Sequence, residues 1–126
     1  MPNYNVQVTQ ACVDNDSKRD TNSNQVLHVC AKITATPAIQ VNFHAQFYHN
    51  NTLVKRSHPL GVTNRHEEVT RESIPLYLPS EYTYDMLHNN PNVSLIIKVA
   101  GNEIFNQDFT NINLMDGDPP TPCSET

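Results

Sequence analysis

Tryptophan is absent from this 126-residue chain, and glycine occurs only three times. The missing indole counts against a sugar-stacking carbohydrate module, although tyrosine can take that role. So few glycines leave no phosphate-cradling loop, and neither G-x-S-x-G nor H-E-x-x-H occurs. Long apolar runs are also missing; none approaches the roughly 20 residues that a bilayer-spanning helix requires. Met1-Pro2-Asn3-Tyr4 shows neither the basic n-region nor the apolar h-region of a secretory leader. The expectation is therefore a cytosolic protein or a mature segment of an exported one. Positive charge is scarce, with 8 Lys and Arg against 13 Asp and Glu, a net charge of -5. Non-specific attraction to nucleic acid or to an anionic membrane face is not expected.

The 3 cysteines, Cys12, Cys30 and Cys123, cannot all pair within the chain, and no C-x-x-C or other zinc spacing is present. A bridge between Cys12 and Cys30 is the expectation in an oxidising compartment, with Cys123 left over for an intermolecular role. Alternation sets Cys12 and Cys30 on opposite strand faces, so that bridge needs a bulge. Sequons stand at Asn15, Asn50 and Asn92 as candidate glycosylation sites, but chance alone supplies about two in a chain this rich in Asn, Ser and Thr. The compartment expected is extracellular or cell-surface, with cytosol as the alternative.

Hydrophobic residues make up 37% of the chain, yet they fall in ordered runs of period two, which argues for a folded β domain and against disorder. A first strand covers Tyr4 to Val13, followed by a polar loop over Asp14–Asn24. A second runs from Gln25 to Thr34, with Leu27, Val29, Ala31 and Ile33 on one face. A third turns Ile39, Val41, Phe43, Ala45 and Phe47 inward. Asn50-Asn51 reads as a type I′ hairpin turn, which pairs Phe47 with Val54 and Tyr48 with Leu53. A strand over Glu67–Leu78 contains Pro75, which argues for an edge position or an interruption. Residues 80–88 read as a short helix capped by Ser80 and stopped by Asn89-Asn90-Pro91. Asn92 to Ala100 is the most apolar strand and therefore central. A three-residue loop, Gly101 to Glu103, then leads into a last strand over Ile104–Leu114, pairing Val99 with Phe105 and Leu95 with Phe109.

About seven antiparallel strands with one short helix imply a two-layer sandwich with immunoglobulin-like Greek-key wiring over residues 1–115. The Cys…Trp…Cys signature of antibody domains is absent, and an open barrel is the rival fold. The Pro- and Asp-rich residues 116–126 read as a tail or linker that cannot join a sheet.

Chemistry-bearing residues fall into three groups. His28, His44 and Cys30 would share an outer face if the second and third strands formed a hairpin, and could then hold zinc or copper. Asp14, Asp16 and Asp20 in the first loop, with Asp116 and Asp118 after the last strand, could converge on calcium. Lys55, Arg56, His58, Arg65 and His66 form a basic strip around a loop in an acidic chain. Loops on a rigid scaffold are where such domains recognise partners. The expected function is a non-catalytic binding or adhesion module meeting a protein, or alternatively an anionic glycan. A secreted or virus-encoded effector that masks a host ligand, and a structural coat or appendage subunit, are the alternative classes.

Overall fold

The computed structural model describes residues 2–15, 25–58, 60–117 and Cys123. Among them are β1 (Asn3–Asn15), β2 (Gln25–Thr36), β3 (Asn42–His49), β4 (Thr52–Arg56), β5 (Gly61–Val62) and β6 (Val69–Leu78). The short helix α1 (Tyr84–Leu87) precedes β7 (Val93–Val99), β8 (Asn102–Asp108) and β9 (Leu114–Asp116). One sheet has the order β6-β2-β1-β9, and the second has the order β4-β3-β7-β8, with β5 also pairing β3. All pairs are antiparallel except β1 with β9. The chain is the all-β sandwich that its alternation implies. The described strands number nine rather than about seven, because β5 separates from β4 and β9 separates from β8.

The alternating residues close on each other as the interior. Phe43, Ala45 and Phe47 of β3, Leu95, Ile97 and Val99 of β7, and Leu27, Val29 and Ile33 of β2 are all fully buried. Each large side chain removed from water in this way contributes roughly 1.5–3 kcal/mol. β7 lies between β3 and β8 and is central, while Pro75 falls in the edge strand β6, where a missing amide proton is tolerated. Asn50 and Asn51 have φ of 51 and 65, as a type I′ turn demands. Ile39 does not join the interior. β3 begins only at Asn42, and Ile39 is 36% exposed.

Three bulges alter the expected registers. Val8 lies opposite Ala31 and Gln10 opposite Cys30, so Thr9 is an extra residue in β1. It reverses the parity: Val6 and Val8 pack toward the interior before it, and Ala11 and Val13 after it, which turns Gln10 and Cys12 outward. In β4, Tyr48 meets Leu53 as expected, but Phe47 meets Lys55, and Val54 is the extra residue. In β8, Lys98 meets Glu103 and Ile97 meets Phe105, with Ile104 between them. The turn ahead of β8 is Ala100-Gly101, both at positive φ (53 and 82), in place of the three-residue loop. Val99 consequently pairs with Asn102, and Leu95 with Gln107.

The last strand is also interrupted. Asp108 Oδ1 accepts from the Thr110 amide at 2.9 Å, from the Thr110 hydroxyl and from Asn111 Nδ2 at 3.3 Å. This Asx-type turn ends β8 and sends the chain across to the other layer, where β9 runs parallel to β1. Met115 and Asp116 therefore do join a sheet, opposite Cys12 and Val13. The α1 cap is Thr83 rather than Ser80, with Thr83 Oγ1 accepting from the Met86 amide at 3.3 Å.

The disulfide joins Cys30 to Cys123, 93 residues apart in sequence, with a Cα–Cα distance of 5.4 Å. The expected Cys12–Cys30 bridge does not form, even though the Thr9 bulge brings both residues to one face. Cys12 sits opposite His28, so it is only a diagonal neighbour of Cys30. Diagonal positions lie about 7–8 Å apart between Cα atoms, beyond the reach of roughly 4.4–6.8 Å that a disulfide spans.

Candidate functional site

The basic strip lies along the outer edge of β3, on a stretch of chain that leaves the sheet and returns to it. Ser57 and Thr63, 1% and 4% exposed, fasten the two ends. The Ser57 amide donates to the Ala45 carbonyl at 2.8 Å, and the Ala45 amide donates to Ser57 Oγ at 2.9 Å. Thr63 repeats the device: its amide donates to the Val41 carbonyl at 2.9 Å, and the Val41 amide donates to Thr63 Oγ1 at 2.9 Å. Its hydroxyl also donates to the Ile39 carbonyl. Between these clamps Gly61 pairs with Phe43 and Val62 with Asn42. Leu60 and Val62 are held out into solvent, 44% and 41% exposed. Their signal in the sequence is the run Leu60-Gly61-Val62 inside an otherwise polar loop, which the basic residues overshadow.

The five basic residues form a row rather than a cluster. Arg56 lies opposite Gln46 and points to the outer face, whereas Lys55 lies opposite the buried Phe47 and borders the seam with Tyr77 and Pro79 of the other layer. His58 is exposed just beyond the Ser57 clamp. Arg65 and His66 follow the Thr63 clamp, with Arg65 Nε donating to His66 Nε2 at 3.3 Å and the His66 amide donating to Asn64 Oδ1 at 2.8 Å. Five residues of β3 separate the level of Arg56 from that of Thr63, roughly 17 Å at strand rise. Two open clefts occupy this end. One of about 460 Å³ lies between His44, Leu60 and the Ala100-Gly101 turn, and another of about 510 Å³ lies between Val62, Arg65 and His66. Gln40 borders both.

Lys98 of β7 extends the positive character onto the outer face of the second sheet. His44 lies directly opposite Lys98. Partial burial pushes the His44 pKa below its ordinary value, and repulsion from Arg56 and Lys98 pushes it further the same way. The hydrogen bonds agree with a neutral ring. Tyr48 Oη donates to Gln46 Oε1 at 3.2 Å, which leaves the Gln46 amide to donate to His44 Nε2 at 3.3 Å. Lys98 was legible as a partner of His44 only once β3 and β7 were known to be neighbours.

The expected metal sites are not assembled. β2 and β3 lie in different sheets and form no hairpin, so His28 and His44 belong to separate layers, and Cys30 is in the disulfide. Of the calcium candidates, Asp14 and Asp116 reach the same end of the first sheet, since Asp116 lies opposite Val13. Asp16, Asp20 and Asp118 lie outside the described residues. Among the described residues, no three His, Cys, Asp or Glu side chains are grouped to hold a metal ion. Of the sequon residues, Asn50 and Asn92 are exposed, while Asn15 ends β1 with its side chain outside the described set. No helix among the described residues is long and apolar enough to cross a membrane. No protein-family model matches the chain, and neither a curated protein nor a solved structure matches it.

Proposed function

We propose that this chain is a non-catalytic binding domain of immunoglobulin-like wiring, which uses the β4–β5 edge to meet an acidic surface on a protein partner. One observation carries the reading: the detour between Ser57 and Thr63 is clamped at both ends by buried hydroxyls while Leu60 and Val62 are held out beside cations. Exposed aliphatic groups rimmed by charge are the usual make-up of a recognition patch. Rigidity in the free state favours binding, because little ordering remains to be done on contact. The same geometry speaks for recognition over catalysis. The hydroxyls nearest the cations are engaged with backbone amides, and the clefts beside them are open. An exported location fits the Cys30–Cys123 disulfide, which persists in oxidising compartments.

The test is a binding screen of the full chain against a panel of purified extracellular protein domains, repeated with Arg56→Glu/Arg65→Glu and with Leu60→Asp/Val62→Asp. A genuine partner loses at least tenfold in affinity with each pair, and its binding to the parent chain weakens as salt rises. Partners indifferent to both pairs would place recognition elsewhere and overturn the reading.

A further inference from the structure

Two sequons meet at the end of the sandwich opposite the Leu60–Val62 patch. Asn50 opens the turn after β3, Asn92 directly precedes β7, and the Asn50 amide donates to the Asn92 carbonyl at 2.9 Å. Both asparagines are exposed, as is Thr52, which completes the first sequon. Ser94, which completes the second, is half-buried in β7. The base beneath them is firm: His49 Nδ1 is hydrogen-bonded to Tyr82 Oη at 2.9 Å, and Tyr82 packs edge-on against Phe47 with ring centroids 5.2 Å apart. The Ala100-Gly101 turn and β5 stand at the far end of the same sheet, where Ala100 bonds Asn42. The length of β3 separates the two ends, roughly 23 Å.

We propose that Asn50 and Asn92 both carry N-linked glycans, which sheathe this end and leave the β5 end bare. Chance accounts for the number of sequons in the chain, but composition does not fix their meeting in neighbouring exposed loops, at the end away from the aliphatic patch. In the transfer, the Asn side-chain nitrogen attacks the anomeric carbon of a polyprenyl-pyrophosphate-linked oligosaccharide. The new N–C bond replaces the C–O bond to pyrophosphate, the polyprenyl pyrophosphate leaves, and the amide yields one proton to a base of the transferase. The finished glycans need only open space around each Asn, which both positions have. The proposal shares with the proposed function only its placement in the secretory route, and partner binding can be assayed separately on protein lacking glycans.

The full chain is placed behind a secretory leader in animal cells, and the lumenal or secreted product is weighed before and after peptide N-glycosidase treatment. With Asn15→Gln as the background, which removes the third sequon, two glycan increments are expected, each occupied Asn being converted to Asp by the enzyme. Thr52→Ala and Asn50→Gln should each remove one increment; Ser94→Ala and Asn92→Gln should each remove the other. Two substitutions per site, one sparing the Asn itself, separate loss of the acceptor from a folding defect. A product with no increment at either position, or with only one of the two occupied, overturns the assignment.

Discussion

Gly61 sits against the tip of the Phe43 ring so closely that a Cβ there would fall 2.2 Å from Cζ and 2.3 Å from Cε2. The ring is fully buried under β5 and cannot retreat without displacing its neighbours. Gly61→Ala should therefore destabilise the fold by about 1–3 kcal/mol, as overpacking of a filled interior does. Denaturant unfolding measures it. Pairing the change with Phe43→Leu makes room for the methyl, so the double variant should lose less than the sum of the single losses. Simple additivity would show that the clash is not the cause.

The clamp at Ser57 makes a second expectation. Removing its hydroxyl leaves the Ala45 amide, buried in β3, with no acceptor there. Ser57→Ala should reduce stability by about 1–3 kcal/mol, the usual penalty for stranding a buried donor. Hydrogen exchange gives the local readout: the Ala45 amide should exchange faster, while Phe47, one alternate position along, stays protected. Thr63→Ala should act in the same way on Val41, whereas Thr63→Ser should largely preserve it.

Period-two alternation was a reliable guide where strands are central and long. Phe43, Ala45, Phe47, Leu95 and Ile97 all face inward as their spacing requires. The bulges at Thr9, Val54 and Ile104 were not legible, because one extra residue needs no distinctive side chain and shows only as a reversal of parity. β9 was hidden for a related reason. Three residues carry no period, and the Asp108 turn that starts the crossing looks like ordinary polar strand. The basic residues of the candidate site stood out by charge, but Leu60 and Val62 fell inside a stretch that reads only as a loop, and their place on the β3 edge follows from the pairing of Gly61 with Phe43.

A third expectation concerns the crosslink. Cys30–Cys123 closes a loop of 93 residues, and restricting so long a stretch of the unfolded chain stabilises a fold by roughly 2–5 kcal/mol. Cys123→Ser should lower stability by that order, and digestion without reductant should no longer yield a peptide joined through Cys30. Cys12→Ala should leave the joined peptide intact. A joined peptide containing Cys12 in the parent chain would contradict the register of β1 against β2.

His44 should make the fold sensitive to acid. Its folded pKa lies below the ordinary 6.5, first because the ring is partly desolvated and then because Arg56 and Lys98 repel a second positive charge. Above about 6.5 the imidazole is neutral in both the folded and the unfolded chain, so its contribution is constant and fully present. As pH falls past that point, the unfolded chain binds the proton first. Stability therefore declines until the folded pKa is passed, and then levels. The charged groups across this face on β4, β7 and β8 are Arg56, Lys98, Glu103 and, at the far end opposite Ser94, Asp108. Glu103 pairs with Lys98 rather than with His44, so removing it should move the titration little. Arg56→Gln and Lys98→Gln should each raise the His44 pKa, read by NMR of its ring protons, but neither should restore 6.5 because desolvation is the larger cause. His44→Gln should flatten this part of the stability–pH curve. A His44 pKa at or above 6.5 in the parent chain would mean that the ring is solvated and that the Tyr48–Gln46–His44 chain does not hold it neutral.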